Sequence, residues 1–210
     1  YRARPASAPG AIIAMDFKGM VTSTLQTGAA AELLVFLDLG NSRMRLVAQR
    51  SRSAVRTLRS FVDQVVTEWG VPLVVHSDRA AEFCGRVVGQ YCRDLNIAQI
   101  STRGYNPRGN AAVERVMRYL NGCFTSLTDA QYSEWPRYLS TMRAAWEDHV
   151  IDGMGTSPFQ ATHGIPRRSP ADALAPVLAN DSDPGLMSAP DVAVLATSQR
   201  VFMRIAQHVR

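Results

Sequence analysis

Lysine is nearly absent. Lys18 is the only one among 23 basic residues, and arginine supplies the rest. Arginine's planar fork suits bidentate contact with phosphate, although a GC-rich genome would leave the same bias. Cysteine is scarce and odd in number: Cys84, Cys92 and Cys123, with no C-x-x-C spacing. That argues against a disulfide framework and reads as reduced packing residues of an intracellular chain. The four histidines, His76, His149, His163 and His208, are too scattered for a zinc site. No apolar run approaches the roughly 18 residues that span a bilayer, so no membrane partner is expected. No signal-peptide series opens the chain. An initiator Met is lacking too, and Tyr1 points to a chain excised from something longer.

What is present is a globular chain of 210 residues, 46% hydrophobic, with net charge +5 and a pI near 9.5. That balance favours a polyanionic partner. Residues 1–10 read as a linker. AIIAMDF (11–17), LLVFLDL (33–39) and RMRLV (43–47) read as three antiparallel strands separated by turns. Val55, Leu58, Val62, Val65 and Trp69 recur at helical spacing, and Gly70 and Pro72 close that helix. A strand over 73–76 follows, then a helix carrying Phe83, Val87, Tyr91 and Leu95, and a strand over 97–100. GYNPRG (104–109) reads as a loop. A third helix carries Val113, Met117, Leu120, Phe124 and Leu127. A fourth carries Trp135, Leu139, Met142 and Trp146, broken at Gly153 and Gly155. Residues 158–164 read as one more short helix. The expected domain is 11–165, with a Pro/Ala/Asp-rich linker over 166–189 and a basic helix over 190–210. The order implies an α/β fold: a mixed five-stranded sheet, three antiparallel strands then parallel ones, flanked by helices.

Three acids stand out by position: Asp16 at the end of the first strand, Asp78 just past the fourth, and Glu114 on the third helix. Between Asp78 and Glu114 lie 35 residues. Phosphoryl transfer on DNA uses two divalent ions about 4 Å apart. Magnesium takes hard oxygen ligands and keeps several waters, so a few converging carboxylates suffice. Asp38 also ends an apolar run, and periodicity alone does not choose among Asp16, Asp38 and Asp78.

The neighbourhood is sharper. HSDRAAEF (76–83), the 35-residue gap and YNPRGNAAVER (105–115), with MDFKG (15–19), LLVFLD (33–38), GVPLVVHSD (70–78) and TSPFQATHGIPRR (156–168), resemble the catalytic core of retroviral-type integrases. Among these the chain looks most like gypsy-like long-terminal-repeat retrotransposon integrases. The resemblance implies an RNase H-like fold and a D,D(35)E triad. Asp16, Asp78 and Glu114 would be the catalytic metal ligands for two Mg²⁺ ions, which Mn²⁺ could replace. It implies 3′-end processing of element DNA and strand transfer into target DNA, in a homo-oligomer. The setting would be a eukaryotic nucleus, reached from a cytoplasmic particle. DNA contacts are expected from Arg118, Arg115, Asn110 and Asn121 on the third helix and from Arg103 and Arg108 in the loop before it. The stretch Arg43, Arg45, Arg50, Arg52, Arg56 and Arg59 could form a target-DNA face. Trp135 and Trp146 are expected in the core. Four positions depart from the family pattern: Ala80 and Ala111 replace glycines, Asn106 a histidine and Met117 an asparagine. Two rivals stand beside this reading: a decayed or domesticated DNA-binding core without catalysis, and a nuclease that cuts without joining.

Overall fold

The computed structural model describes residues 8–24, 29–78, 83, 85–101 and 107–167, with backbone only at 101 and 107–110. Five strands form one sheet in the order β3-β2-β1-β4-β5. They are β1 (Ile12–Gly19), β2 (Glu32–Asp38), β3 (Met44–Gln49), β4 (Val74–Ser77) and β5 (Ala98–Ser101). The first three pair antiparallel, and β4 and β5 add parallel to β1. This is the mixed sheet expected from the strand pattern.

Alternation along β1 sends its side chains to two cores. Ala14 faces one packed with Leu33, Val35, Leu37, Val116, Leu120 and Trp135. Ile13 and Met15 face the other, with Leu34, Phe36, Phe61, Val65 and Val88. The first core is roofed by α4 (Pro107–Thr125) and α6 (Leu139–Asp148), with the short α5 (Asp129–Ser133) between them. The second is covered by α1 (Ala54–Phe61) and α3 (Arg86–Asp94). Each large polar-tipped aromatic in the first core satisfies its tip. Trp135 donates to Val21 O at 3.0 Å, Trp146 to Ser42 O at 2.7 Å, and Tyr119 to Met142 O at 2.6 Å. Both tryptophans are core residues, as expected.

Several boundaries differ from the sequence pattern. The helix after Ser53 is not uniform: π turns at Val62–Val66 join α1 to α2 (Thr67–Trp69). The buried stripe is Thr57, Phe61 and Val65, spaced by four. Such a stripe drifts by about 40° per step on a 3.6-residue helix, and the wider π turn counters the drift. Val55 and Val87, expected inside, are 63% and 45% exposed. α4 starts at Pro107, within the expected loop, because proline's fixed φ suits the first helical position. Trp135–Tyr138 is a separate 3-10 turn ahead of α6, with Pro136 near its start. The turn from Asp38 to Met44 is tight. A Cβ on Gly40 would lie 2.8 Å from Ala8 O, so only glycine lets the N-terminal segment pass there. The last short helix is α7 (Pro158–His163), whose first turn Ser157 caps through Gln160 N–H. The expected linker over 166–189 falls beyond the described residues except for 166–167. The basic helix over 190–210 falls wholly beyond them.

Candidate metal and nucleic-acid site

Asp16 lies inside β1, not at its end, since β1 runs on to Gly19. What ends near Asp16 is the neighbouring strand. β4 pairs with β1 only at Ile12, Ile13 and Ala14, the last opposite His76. Asp78 follows the last residue of β4 directly, and extending that register by two residues brings it toward Asp16, whose carboxyl feels its charge. Both then point to the face that α4 covers, since Asp16 shares parity with Ala14 and Asp78 with His76.

The electrostatics agree with the pairing. Asp16 is half-buried, and burial pushes its carboxyl above the usual value. The Phe17 N–H, which donates to Asp16 Oδ1 at 2.8 Å, opposes that rise. The negative charge of Asp78 adds to it, and Arg52 counteracts it weakly. Arg52 is held by Glu32 at 3.0 Å and lies over the Phe17 ring, 5.4 Å from its centroid. Phe17 in turn stacks on Phe83 at 5.1 Å. His76 is buried, and burial lowers its pKa.

Glu114 is exposed on α4, on the helix that packs over the same sheet face. It is not gathered with the two aspartates: among the described residues no three His, Cys, Asp or Glu side chains form a metal-holding group. The donor set nevertheless fits a hard divalent cation. Two like charges in a half-buried site repel each other, and Mg²⁺ commonly binds through one or two carboxylates.

The remaining expected residues separate into groups. Arg115, Arg118 and Asn121 are exposed on α4. Arg108 and Asn110 are on the same helix by backbone, with side chains outside the description, and Arg103 lies outside the described residues. Of the four departures, Ala80 and Asn106 also lie outside. Ala111 sits in α4, where alanine favours the helix over glycine by about 1 kcal/mol. Met117 packs against the first core. Arg43 and Arg45 are no DNA face. Arg45 is buried, both contact the buried Glu147 at 3.6 Å, and both lie over Trp69. Arg50, Arg52, Arg56 and Arg59 do reach the surface.

Asp38 separates from the other aspartates by its contacts. It is 1% exposed and accepts the N–H groups of Gly10 (2.6 Å) and Gly40 (2.9 Å). Its role is to hold the β2–β3 turn against the N-terminal segment. Asp38→Ala should therefore cost about 2–3 kcal/mol through stranded donors, read by urea denaturation. A Mg²⁺-induced melting shift equal to wild type should accompany it. A loss of that shift in a folded variant would move Asp38 into the metal site.

Known proteins bear directly on this geometry. The sequence profile of the integrase core domain matches residues 6–107, a span that holds Asp16 and Asp78 and stops short of Glu114. The Gag-Pol polyprotein of avian reticuloendotheliosis virus is 24% identical over 160 residues, covering 76% of this chain and 14% of that one. The Pol polyprotein of feline endogenous virus ECE1 is 26% identical over 137 residues, covering 64% and 13%. The chain thus spans about a seventh of these relatives. Among solved structures, the HTLV-2 integrase catalytic core in complex with magnesium superposes with a TM-score of 0.57 at 16% identity, covering 74% of this chain and 97% of that one. The simian T-cell lymphotropic virus intasome, in complex with PP2A regulatory subunit B56 gamma, gives 0.59 at 17% identity, covering 89% and 63%. The fold is RNase H-like.

Proposed function

We propose that the chain, whose residues 6–107 match the integrase core domain, is the DNA-joining core of a retroelement integrase. In this reading it trims element DNA 3′ ends and transfers them into target DNA. The single observation that carries it is the Asp16–Asp78 pair, brought toward each other by strand register and sharing an unfavourable like charge. Asp16, Asp78 and Glu114 would hold two Mg²⁺ ions, which Mn²⁺ could replace. Such ions activate the attacking oxygen and stabilise the leaving one.

The chain's own groups do the positioning. The Phe17 N–H fixes one oxygen of Asp16 and thereby orients the carboxylate. Arg115, Arg118 and Asn121 extend along α4 from Glu114, as a track for DNA phosphates. Partners in this reading are element and target DNA and further copies of the chain. The magnesium-bound HTLV-2 core and the simian intasome support that assignment by likeness of fold. The gypsy-like affinity, the division into core, linker and C-terminal helix, and action in a eukaryotic nucleus belong to the same proposal.

One observation favours a rival: Glu114 stands apart from the aspartate pair, as it would in a non-catalytic DNA-binding core. A labelled oligonucleotide assay with Mg²⁺ or Mn²⁺ separates the readings. Joined products are expected. Nicked but never joined DNA would make the chain a nuclease. Salt-sensitive binding with no product would make it a binding module.

A further inference from the structure

A cavity of about 290 Å³ opens between α4 and the C-terminal end of α6. Its walls include Arg115, Arg118, Tyr119, Trp146, His149 and Asp152. Tyr119 and Trp146 are nearly buried, and their polar tips are already engaged with Met142 O and Ser42 O. Their rings, 5.1 Å apart, furnish an apolar floor. Arg115 and Arg118 stand beside that floor, exposed and with no ion pair among the described residues. The wall that carries Asp152 is held by the bridge between Ile151 and Thr156.

The last described residue is tied down next to this cavity. Arg167 meets Glu147 at 2.8 Å and Asp148 at 2.9 Å, and lies over the Phe159 ring at 4.3 Å. Asp148 directly precedes His149 of the cavity wall. The sequence that follows differs in charge from the rest. Residues 169–199 hold Asp172, Asp181, Asp183 and Asp191 and no basic residue, in a chain of net charge +5. Between the first two of these acids lie Leu174, Val177 and Leu178. Apolar residues flanked by carboxylates match an apolar floor flanked by guanidiniums, whose fork takes carboxylate oxygens in pairs.

We propose that this cavity docks residues 172–183 of the same chain, their aspartates on Arg115 and Arg118 and their apolar residues on Tyr119 and Trp146, and that this contact masks the two arginines from DNA. The masking rests on the reading of α4 as a track for DNA, whereas the docking does not. Reach allows it. Asp172 is five residues beyond Arg167, a span of up to roughly 17 Å, and Asp181 and Asp183 reach further. Tethering raises the effective concentration of the segment to about the millimolar range. A separate acidic peptide or a second copy must bind without that advantage, which selects the chain's own segment. Asp152 repels the incoming aspartates and keeps the contact weak enough for DNA to displace. Docked between half and nine-tenths of the time, the segment lowers DNA affinity about two- to tenfold.

The scarcity of lysine makes the docking directly readable. Carbodiimide joins carboxylates to amines and not to guanidiniums. Lys18 is the only native lysine, so Arg118→Lys in the full chain places one new amine at the cavity and keeps the charge. A zero-length cross-link from position 118 to Asp172, Asp181 or Asp183 is expected, within one chain and suppressed by a saturating DNA duplex. Cross-links confined to Glu114 or Asp152, in a variant that melts like wild type, would overturn the docking and leave the DNA-joining reading intact. Cross-links to the segment found only between two chains, and lost on dilution, would give the cavity to a second copy and overturn the tether. Duplex affinity tests the masking. Asp172→Asn, Asp181→Asn and Asp183→Asn together should raise it about two- to tenfold, and the gain should disappear once Arg115→Gln and Arg118→Gln are added. A gain that persists undiminished in that background would be bulk electrostatics and would overturn the masking. A wild-type chain that cross-links but binds no duplex would overturn the DNA-joining reading, and the masking with it, while the docking stands.

Discussion

Asp78→Asn is expected to abolish Mg²⁺-dependent DNA products and, at the same time, to make the metal-free protein slightly more stable. The second half follows from charge. The Asp16 carboxyl is pushed up first by burial and then by Asp78. A carboxyl whose folded pKa lies above its unfolded value costs stability once ionised. That cost is present at neutral pH and is relieved as the pH falls through the raised value. Removing the Asp78 charge takes away the like-charge part. With solvent screening at this half-exposed site, the gain is a few tenths to about 1 kcal/mol, or up to about 4 °C for a domain of this size. Below the raised pKa the two proteins should melt alike.

The catalytic half is larger. Metal stabilisation of the reacting oxygens is worth several kcal/mol, so a loss of roughly a thousandfold or more is expected. Two readouts check it: joined product in the oligonucleotide assay, and the rise in melting temperature on adding Mg²⁺. Both should vanish together. Wild-type product formation by Asp78→Asn would remove Asp78 from the site. A Mg²⁺ shift that persists undiminished would place the metal elsewhere.

Glu147→Gln should produce the largest loss of stability. The Glu147 side chain is 2% exposed and meets Arg43 and Arg45 at 3.6 Å and Arg167 at 2.8 Å. Arg167 also reaches Asp148 at 2.9 Å and lies over the Phe159 ring. Arg45 is buried, and burial, followed by the charges of Arg143 and Arg43, lowers its pKa. Gln keeps the shape and drops the carboxylate that these three cations share. Breaking a buried pair in this way costs about 3–5 kcal/mol, a large part of a total that is typically 5–15 kcal/mol. Urea denaturation should show a lower midpoint at unchanged slope. A loss below about 1 kcal/mol would mean that water already shields the cluster.

The contrast between these two acids shows what the sequence could carry. The succession of strands and helices, the mixed pairing and the neighbourhood of Asp78 are legible, because alternation and the spacing of acids are local or nearly so. The pattern makes Asp16 a strand end, whereas β1 runs on to Gly19 and the neighbouring β4 stops at Ser77. Only pairing between strands some 60 residues apart reveals that. Arg43 and Arg45 were misjudged because alternating basic and apolar residues look like a solvated edge. Their partner, Glu147, lies about 100 residues away on α6 and leaves no mark on RMRLV. Periodicity alone does not tell Asp38 from Asp16. One is separated from the other by two backbone N–H groups, those of Gly10 and Gly40.

β1 outlasting β4 has a further consequence. Asp16 comes from the interior of one strand and Asp78 from just past the end of the next, with no turn or helix between them to absorb an error. Side chains alternate sides of a sheet, so a slip of β4 by one residue would carry Asp78 through to the opposite side and His76 with it. The pair depends on counting as much as on chemistry. The four residues Val74–Ser77 act as a spacer of fixed parity, and an insertion or deletion there would be as damaging as losing the carboxylate itself.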